Sequence, residues 1–264
     1  MKGLYLYCIR NKNGSKFSER GINESEIYVI PYQDLEAVVS EVPLPEFSSE
    51  EVQKKAEEDL GWIKKNVQIH ENIIEEAMRF NGKILNVIPM KFGTIFNTPK
   101  KIEGILKKRY SVFKKSLKKL AGKQEWGVKV YLNPKDLSRE TRKLSSVVQE
   151  KEKEIARLPE GMAYFAENEV EDIVKKETDK ILQDYAINIF ETLKQYAYDS
   201  AKAKILEKDF TGEPFPMALN AFFLVSEEKL DDFLKAVESL IKEYKSRGFY
   251  FKHAGPWPPY HFCF

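Results

Sequence analysis

The first part of the chain has the hydrophobic pattern of β-strands. Residues 3–9 are apolar on both alternating sets of positions, so the strand that they predict belongs in the middle of a sheet or under a covering layer. Two shorter runs, 27–30 and 35–40, flank the turn residues 31–34 and predict two more strands. Similar apolar runs predict later strands, at 84–88, 126–132, 217–225 and 249–252.

In other segments the apolar residues recur every three or four positions, which predicts amphipathic helices. The first begins at Ser48 or Ser49 and ends at Asn81 and Gly82. The other helices are predicted at 99–121, 134–158, 167–207 and 226–248. A continuous helix over 167–207 would be about 60 Å long. We therefore expect it to pair with 134–158 as an antiparallel hairpin.

This order of elements predicts an α+β fold with two domains. We expect residues 1–132 to form a ferredoxin-like βα sandwich, because strands and helices interleave there. Residues 133–264 are expected to form an α+β domain that contains the long helical hairpin, a strand–helix–strand unit and a Pro/aromatic C-terminal tail.

Composition narrows the class of protein. Of the 264 residues, 42% are hydrophobic, which is enough for a sizeable core. Lys and Arg number 43 and Asp and Glu 41, so the surface is densely charged but almost neutral, unlike that of a dedicated nucleic-acid binder. The longest apolar run, 221–225, is too short to span a membrane, and the N-terminus does not resemble a signal peptide. We expect a soluble cytoplasmic protein without a membrane partner.

His70 is the first candidate for chemistry, since it lies on the apolar side of the first long helix. One hypothesis makes it a general base or a metal ligand. The other, which we favour, makes it a core histidine with satisfied nitrogens, because the chain has no nucleophile motif and no metal-ligand spacing. Phosphate-binding glycine loops are also missing from the sequence. We therefore expect no enzyme activity, no catalytic residues, no cofactor and no metal.

The predicted helix 99–121 is strongly basic, with Glu103 as its only acid. Its lysines could bind phosphates, so an RNA- or DNA-binding module is the alternative function. Against it, neither candidate strand carries an RNA-binding motif, and lysines on the outer side of a helix are usually solvated. They could also neutralise the acidic helix at 50–59.

The C-terminal tail, 255–264, combines three prolines with Trp257 and Tyr260. Prolines make such a segment stiff and extended, so it has little conformational entropy to lose on binding. The tail either binds a partner or straps the last strand to its own domain, and the two roles are compatible.

Several segments resemble the gas vesicle protein F/L family (GvpF/GvpL). They are spread in order along the chain, at 3–7, 34–40, His70, 88–96, 125–130, 159–164 and 255–260. The most specific are the Pro-x-x-Phe-Gly-Thr motif that starts at Pro89 and the Gly-Pro-Trp-Pro-Pro-Tyr motif that starts at Gly255. Lys91 stands where the family often has Arg, which keeps the charge but not the planar fork of donors.

The resemblance implies a non-enzymatic protein that binds the hydrophobic shell subunit (GvpA-like) and assists gas vesicle formation. Gas vesicles are the hollow protein shells that give microbes buoyancy. The resemblance also implies the two-domain fold, a place in the cytoplasm or at the vesicle, and other accessory gas vesicle proteins as further candidate partners. We expect the interaction surface to include the loop and tail residues Pro89, Lys91, Phe92, Gly93, Thr94, Pro256, Trp257, Pro258, Pro259 and Tyr260.

Overall fold

The computed structural model describes the backbone of residues 2–47 and 49–263. It also describes their side chains, apart from those of Ser49, Ala56, Glu160, Tyr164 and Phe165. Ser48, one of the two predicted starts of the first long helix, lies outside the described residues. The fold is mixed, with 51% helix and 26% strand, as the alternation of the two patterns predicts.

Contacts divide the chain into two compact units. The first contains Met1–Glu125 and Pro256–Phe264, and the second contains Trp126–Gly255. This division differs from the predicted boundary after residue 132, and it places the tail with the first unit. The reason is burial, since Pro258, Pro259 and Phe262 are buried in the first unit. Separate folding of two domains stays a prediction.

The first unit is built around a five-stranded sheet. Its strands and a separate short hairpin are β1 (Lys2–Asn11), β2 (Ile27–Tyr32), β3 (Leu35–Pro43), β4 (Arg79–Phe80), β5 (Lys83–Ile84), β6 (Val87–Pro89) and β7 (Ile95–Phe96). Its helices are α1 (Ser49–Glu58), α2 (Leu60–Ala77), α3 (Pro99–Lys108) and α4 (Tyr110–Leu120). The sheet order is β2-β3-β1-β6, with β7 also paired to β1, and these pairs are antiparallel.

Strand β1 lies inside this sheet and is covered on both faces, which confirms the prediction from its two apolar faces. Successive side chains of a strand point to opposite faces. Arg10 donates from Nη1 to the Ala77 carbonyl at the end of α2 (3.0 Å), whereas Asn11 accepts from Lys114 of α4 (3.0 Å). Helices α2 and α4 therefore cover opposite faces, and the basic helices cannot neutralise the acidic helix α1, which packs on α2.

The second unit contains a four-stranded sheet with the order β11-β8-β10-β9. Its strands are β8 (Lys123–Leu132), β9 (Asp199–Lys202), β10 (Met217–Ser226) and β11 (Phe249–Trp257), of which β8 and β11 cross the unit boundary. Its helices are α5 (Pro134–Leu144), α6 (Ser146–Ile155), α7 (Glu160–Lys194), α8 (Lys208–Thr211) and α9 (Leu230–Lys245). Helix α7 contacts both α5 and α6.

Three of the predicted helices are each two helices in the structure. The first breaks at Asp59, whose carboxylate accepts from the Trp62 amide (2.9 Å), and the third breaks at Ser145, whose hydroxyl accepts from the Val148 amide (3.4 Å). The second breaks at Arg109. Asp and Ser begin helices because their oxygens satisfy free amides, so a helix restarts there although the apolar stripe continues.

The helix predicted at 167–207 is also corrected. Helix α7 begins earlier, at Glu160, and ends at Lys194, because the following residues turn back as strand β9 beside β10. No helix among the described residues has both the length and the apolar composition needed to cross a membrane.

Candidate functional site

Four of the segments that carry the resemblance meet around His70 in the first unit. Helix α2 holds the imidazole, which is 1% exposed, against strand β1 and the loop that follows β6. The ring centres of Tyr5, Tyr7 and Phe92 lie 5.6, 5.8 and 5.8 Å from that of His70. His70 is therefore a packed core histidine, as the favoured hypothesis states.

The hydrogen bonds around His70 identify its tautomer. A carbonyl oxygen only accepts, so the Met90 carbonyl, 3.1 Å from Nε2, requires a proton on Nε2. Nδ1 is then the acceptor, and the Tyr5 hydroxyl donates to it at 3.1 Å. The Tyr5 oxygen in turn accepts from the Gly93 amide at 2.9 Å. Strand β1, helix α2 and the loop 90–94 are thus joined by one chain of hydrogen bonds.

Burial governs the protonation of this cluster. It lowers the pKa of His70 to about 4, although the Met90 carbonyl favours the charged ring, so the imidazole is neutral near pH 7. Burial likewise raises the pKa of Tyr5 well above its ordinary value. Both groups therefore remain neutral, which is the state that the hydrogen bonds require.

The C-terminal tail reaches the same cluster through Tyr260. Its hydroxyl donates to the Glu71 carboxylate (2.8 Å), and its oxygen lies 3.2 Å from His70 Nε2. Burial, followed by the nearby Glu71 charge, raises the pKa of Tyr260. Burial also raises the pKa of Glu71. The tail and the loop 90–94 are thus both attached to the same imidazole.

Further contacts fasten the rest of the tail to the first unit. Glu125, 2% exposed, accepts from the His261 amide (3.1 Å) and lies 2.7 Å from the His261 ring nitrogen Nδ1. Ser116 of α4 donates to the Cys263 carbonyl, and the Cys263 thiol donates to the Pro259 carbonyl (2.7 Å). The tail is therefore fastened to the first unit, which corrects the prediction that it straps the last strand to its own domain, since most of β11 lies in the second unit.

The ten predicted site residues separate into buried and accessible positions. Pro89, Pro258 and Pro259 are buried and serve as structure. Phe92, Thr94 and Pro256 are half-buried, while Lys91, Gly93, Trp257 and Tyr260 are exposed. The Thr94 hydroxyl and amide both donate to the Lys91 carbonyl, which closes the loop into a tight turn. Gly93 allows this turn because its φ is +78°.

Periodicity could not have identified Glu71 and Glu125. Each is one carboxylate among 41 acidic residues, and nothing in its neighbourhood in sequence marks it. They have a role only because the C-terminal tail packs beside them in the fold and bonds to their carboxylates. Their one signal in the sequence is their position, since Glu71 directly follows His70 and Glu125 begins the segment 125–130, and both matches carry the resemblance.

The two cysteine thiols are held in an unreactive, protonated state. Cys8 and Cys263 are both free and buried, and burial raises the pKa of each thiol to about 12. Within 2–47 and 49–263, no group of three or more His, Cys, Asp or Glu side chains is arranged to hold a metal ion.

On the basic helices, the structure distinguishes supporting from exposed lysines. Lys114 bonds to Asp34 (2.5 Å) as well as Asn11, so it fixes α4 to the ends of β1 and β3. The Arg109 guanidinium lies 5.4 Å from the centre of the Phe113 ring. The exposed lysines are Lys100, Lys101, Lys107, Lys108, Lys115 and Lys118.

Comparison with known sequences agrees with the resemblance. The gas vesicle synthesis protein GvpL/GvpF family model matches residues 3–264. The chain is 26% identical over 263 residues to gas vesicle protein F1 of Halobacterium salinarum, covering 99% of this chain and 92% of that protein. It is 23% identical to gas vesicle protein L of a Streptomyces species, covering 98% and 92%.

Comparison with solved structures shows the same fold. The crystal structure of GvpF from an Anabaena species superposes with a TM-score of 0.76 at 18% identity, covering 100% of this chain and 99% of that one. GvpF from Microcystis aeruginosa gives 0.70 at 16% identity, covering 99% of both chains. Because the family model spans nearly all of the sequence, this chain belongs to the gas vesicle synthesis protein GvpL/GvpF family.

Proposed function

We propose that this chain is a non-enzymatic gas vesicle assembly or minor structural protein that binds the hydrophobic, GvpA-like shell subunit. The observation that carries the proposal is the family match over residues 3–264. A subunit that lines a gas space has an apolar face, which is prone to aggregation before polymerisation. A protein that covers this face would suppress wrong assembly, in the cytoplasm or at the growing vesicle. Other accessory gas vesicle proteins are further candidate partners.

The geometry around His70 supports a particular binding surface. The exposed side chains of Lys91, Trp257 and Tyr260 stand on the loop and the tail that His70 joins. Trp257 is 40% exposed and Tyr260 is 37% exposed. Aromatic side chains on a rigid support make effective binding anchors, because little entropy is lost when they bind.

The states of the reactive groups support a non-enzymatic role. His70 has both nitrogens engaged and a pKa of about 4, so it is a poor proton acceptor near neutral pH. The thiols of Cys8 and Cys263, with pKa values of about 12, are poor nucleophiles.

The strand orders support a ferredoxin-like topology for the first unit and, beyond the prediction, for the second. If four strands of each unit are numbered along the chain (β1, β2, β3, β6 and β8–β11), the sheet orders are 2-3-1-4 and 4-1-3-2. The two strand orders are identical when one sheet is read from its opposite edge. This is the strand order of the ferredoxin-like, or split βαβ, motif. In the first unit, a loop with one 3-10 turn (Ile22–Glu24) replaces the first crossover helix.

A pull-down with the purified shell subunit tests the binding surface. Trp257→Ala and Lys91→Glu change exposed side chains and should each weaken capture about tenfold, as expected for an interface anchor. Phe210→Ala is the matched control, since Phe210 is 80% exposed but lies in the second unit. Full capture by both surface variants, or a loss only in the control, would contradict the proposed surface.

The alternative function, an RNA- or DNA-binding module, is favoured only by the exposed lysines of α3 and α4. It predicts affinity that falls steeply with salt. The informative variants are Lys107→Glu, Lys108→Glu and Lys115→Glu, because Lys114 supports the fold. Nucleic acid that copurifies with the wild type and is lost with these variants would support this function.

A further inference from the structure

Helices α3 and α4 present a basic surface, formed by Lys100, Lys101, Lys107, Lys108, Lys115 and Lys118. The opposite sides of both helices are buried, through residues such as Ile102, Leu106 and Phe113. Glu103 is the only acidic residue between Pro99 and Leu120. A Cβ added at Gly104 would meet no other atom within 4 Å, so the surface is open at this point. This surface is therefore open and strongly basic, with six exposed lysines and one exposed acid, Glu103.

Helix α1 presents an acidic surface, which we define by the exposed residues Glu50, Glu57 and Glu58. Residues 46–59 contain six acidic and two basic residues. Of the two lysines of α1, Lys55 is half-buried, with its ammonium 4.3 Å from the centre of the Trp62 ring, whereas Lys54 is exposed. Val52 packs towards the core on the α2 side of the sheet, which leaves the carboxylates outward.

The two charged surfaces lie on opposite sides of one sheet. Tyr5 and Tyr7 of β1 belong to the core beneath α2, with which α1 packs, while Asn11 contacts Lys114 of α4. A shift in register between Leu6 and Cys8 makes Cys8 and Arg10 face the α2 side as well. Since the sheet separates them, the acidic and basic surfaces cannot neutralise each other within one molecule.

We propose that the acidic surface of one copy docks on the basic surface of a second copy. Charge complementarity selects this occupant, because the chain carries both signs in nearly equal number and presents the acidic and the basic surface on opposite sides of the sheet in its first unit. The inference is independent of the proposed function.

The arrangement of the surfaces also decides the kind of association. A compact two-fold interface between surfaces on opposite sides would bring like charges together. Head-to-tail contacts pair opposite charges and leave one surface of each sign free at the ends, so the association is open-ended. Exposed ion pairs are individually weak and screened by salt, so the contact is reversible and depends on concentration and ionic strength.

Sedimentation velocity of the full chain tests the association. At about 0.01 M salt the weight-average mass should rise with protein concentration, and at about 1 M salt the chain should sediment as a monomer, because the screening length falls about tenfold. A wild-type chain that stays monomeric at low salt and high concentration would overturn the proposal.

Two charge-reversed variants identify the surfaces. The acidic-to-basic variant carries Glu50→Lys, Glu57→Lys and Glu58→Lys, and the basic-to-acidic variant carries Lys107→Glu, Lys108→Glu and Lys115→Glu. Each should associate at least about tenfold more weakly by itself. In the acidic-to-basic variant both surfaces are then basic, and in the basic-to-acidic variant the three new glutamates cancel the charge of the three remaining lysines. An equimolar mixture should associate again, since each variant supplies the surface that complements the other.

A matched control separates specific pairing from net charge. Lys235, Lys242 and Lys245 are exposed on α9 of the second unit, so their replacement by Glu makes the same change in charge elsewhere. This control should associate like the wild type. A mixture of the two reversed variants that remains monomeric would overturn the proposal. The proposal would also be overturned if the basic-to-acidic variant self-associated as strongly as the wild type but bound RNA less well.

Discussion

His70 contributes to this protein as a neutral hydrogen-bonding centre. Its proton on Nε2 faces the Met90 carbonyl, and its bare Nδ1 accepts from Tyr5, so a residue of α2 holds both a strand and a loop. A leucine would fill a similar volume but could make neither bond. The role needs a donor and an acceptor on opposite sides of one flat ring, which only neutral histidine supplies.

Tyr5→Phe should lower the free energy of unfolding by about 2 kcal/mol, because it leaves His70 Nδ1 and the Gly93 amide without the hydroxyl. Urea denaturation measures the loss. Tyr28→Phe is the control, since Tyr28 is 38% exposed and its change should be within about 0.5 kcal/mol. Equal losses in the two variants would remove the special role of the Tyr5 hydroxyl.

Stability should fall as the pH drops from about 6.5 to about 4. His70 has an ordinary pKa of 6.5 when unfolded and about 4 in the fold, so the unfolded chain binds the proton first. Over this interval the loss from His70 is roughly 3 kcal/mol, and it stops below the folded pKa. The measurement is the free energy of unfolding against pH, for wild type and for His70→Gln.

Glu71 makes the comparison with His70→Gln necessary. Its raised pKa gives the opposite trend, since its contribution to stability is lost as the pH rises through the folded value. Both proteins contain Glu71, so the difference between their curves reports His70. Parallel curves would show that His70 does not titrate in this way.

At the scale of the element, capping residues and glycines decide where helices and strands end. Gly248 ends the turn between α9 and β11 with φ of +85°, and its amide and carbonyl both bond to neighbouring backbone. A Cβ at this position would lie 2.6 Å from the Cβ of Asp136. Here glycine is required both by the backbone conformation and by the close approach of α5.

Gly248→Ala should therefore lower the free energy of unfolding more than Gly212→Ala does. Gly212 also has a positive φ, +65°, but has no atom within 4 Å of an added Cβ. The backbone conformation costs about 1–2 kcal/mol in both variants. Overpacking against Asp136 should add about 1–3 kcal/mol to Gly248→Ala alone. Thermal or urea unfolding measures both, and equal losses would mean that Asp136 moves aside freely.

Asp59→Ala tests the break between α1 and α2. The carboxylate accepts from the Trp62 amide, and its loss should cost about 1 kcal/mol, whereas Asp59→Asn should restore most of the stability. Urea denaturation of the three proteins gives the values. Stability unchanged in the alanine variant would show that the cap is not what holds the start of α2.

At the scale of the whole molecule, the two ends of the chain belong to one compact unit. Strand β1 and the last nine residues lie in the first unit, while the residues between Trp126 and Gly255 form the second. The side chains of Phe262 and Cys263, 2% and 3% exposed, are part of the first unit's interior. The tail thus completes a core that begins with the first residues of the chain.

A chain that ends at Ala254 should lose stability selectively in the first unit. Removing Phe262 alone from a core costs about 3–5 kcal/mol, and the bonds of Tyr260 and His261 are lost as well. Hydrogen exchange should therefore accelerate in β1 and α2 and remain slow in α9. Uniform acceleration through both units would contradict this division.

The sequence patterns predicted those features of the fold that depend on residues close together in the chain. Strand β1 and the apolar stripes of the helices follow from periodicity, because burial of one face is a property of consecutive side chains. The breaks at Asp59 and Ser145 carried a visible signal, since both residues are common N-caps, but the continuous apolar stripe outweighed it. The end of α7 at Lys194 had no comparable local signal, because it depends on the pairing of β9 with β10.

The amino-acid sequence by itself determined the family, the mixed fold and the segments that matter, since motifs and periodicities are properties of short stretches of chain. Only the tertiary structure decided that Tyr260 meets His70, 190 positions away, and that acidic and basic helices lie on opposite sides of one sheet. Such contacts depend on how distant segments pack, and the same local patterns are compatible with many packings.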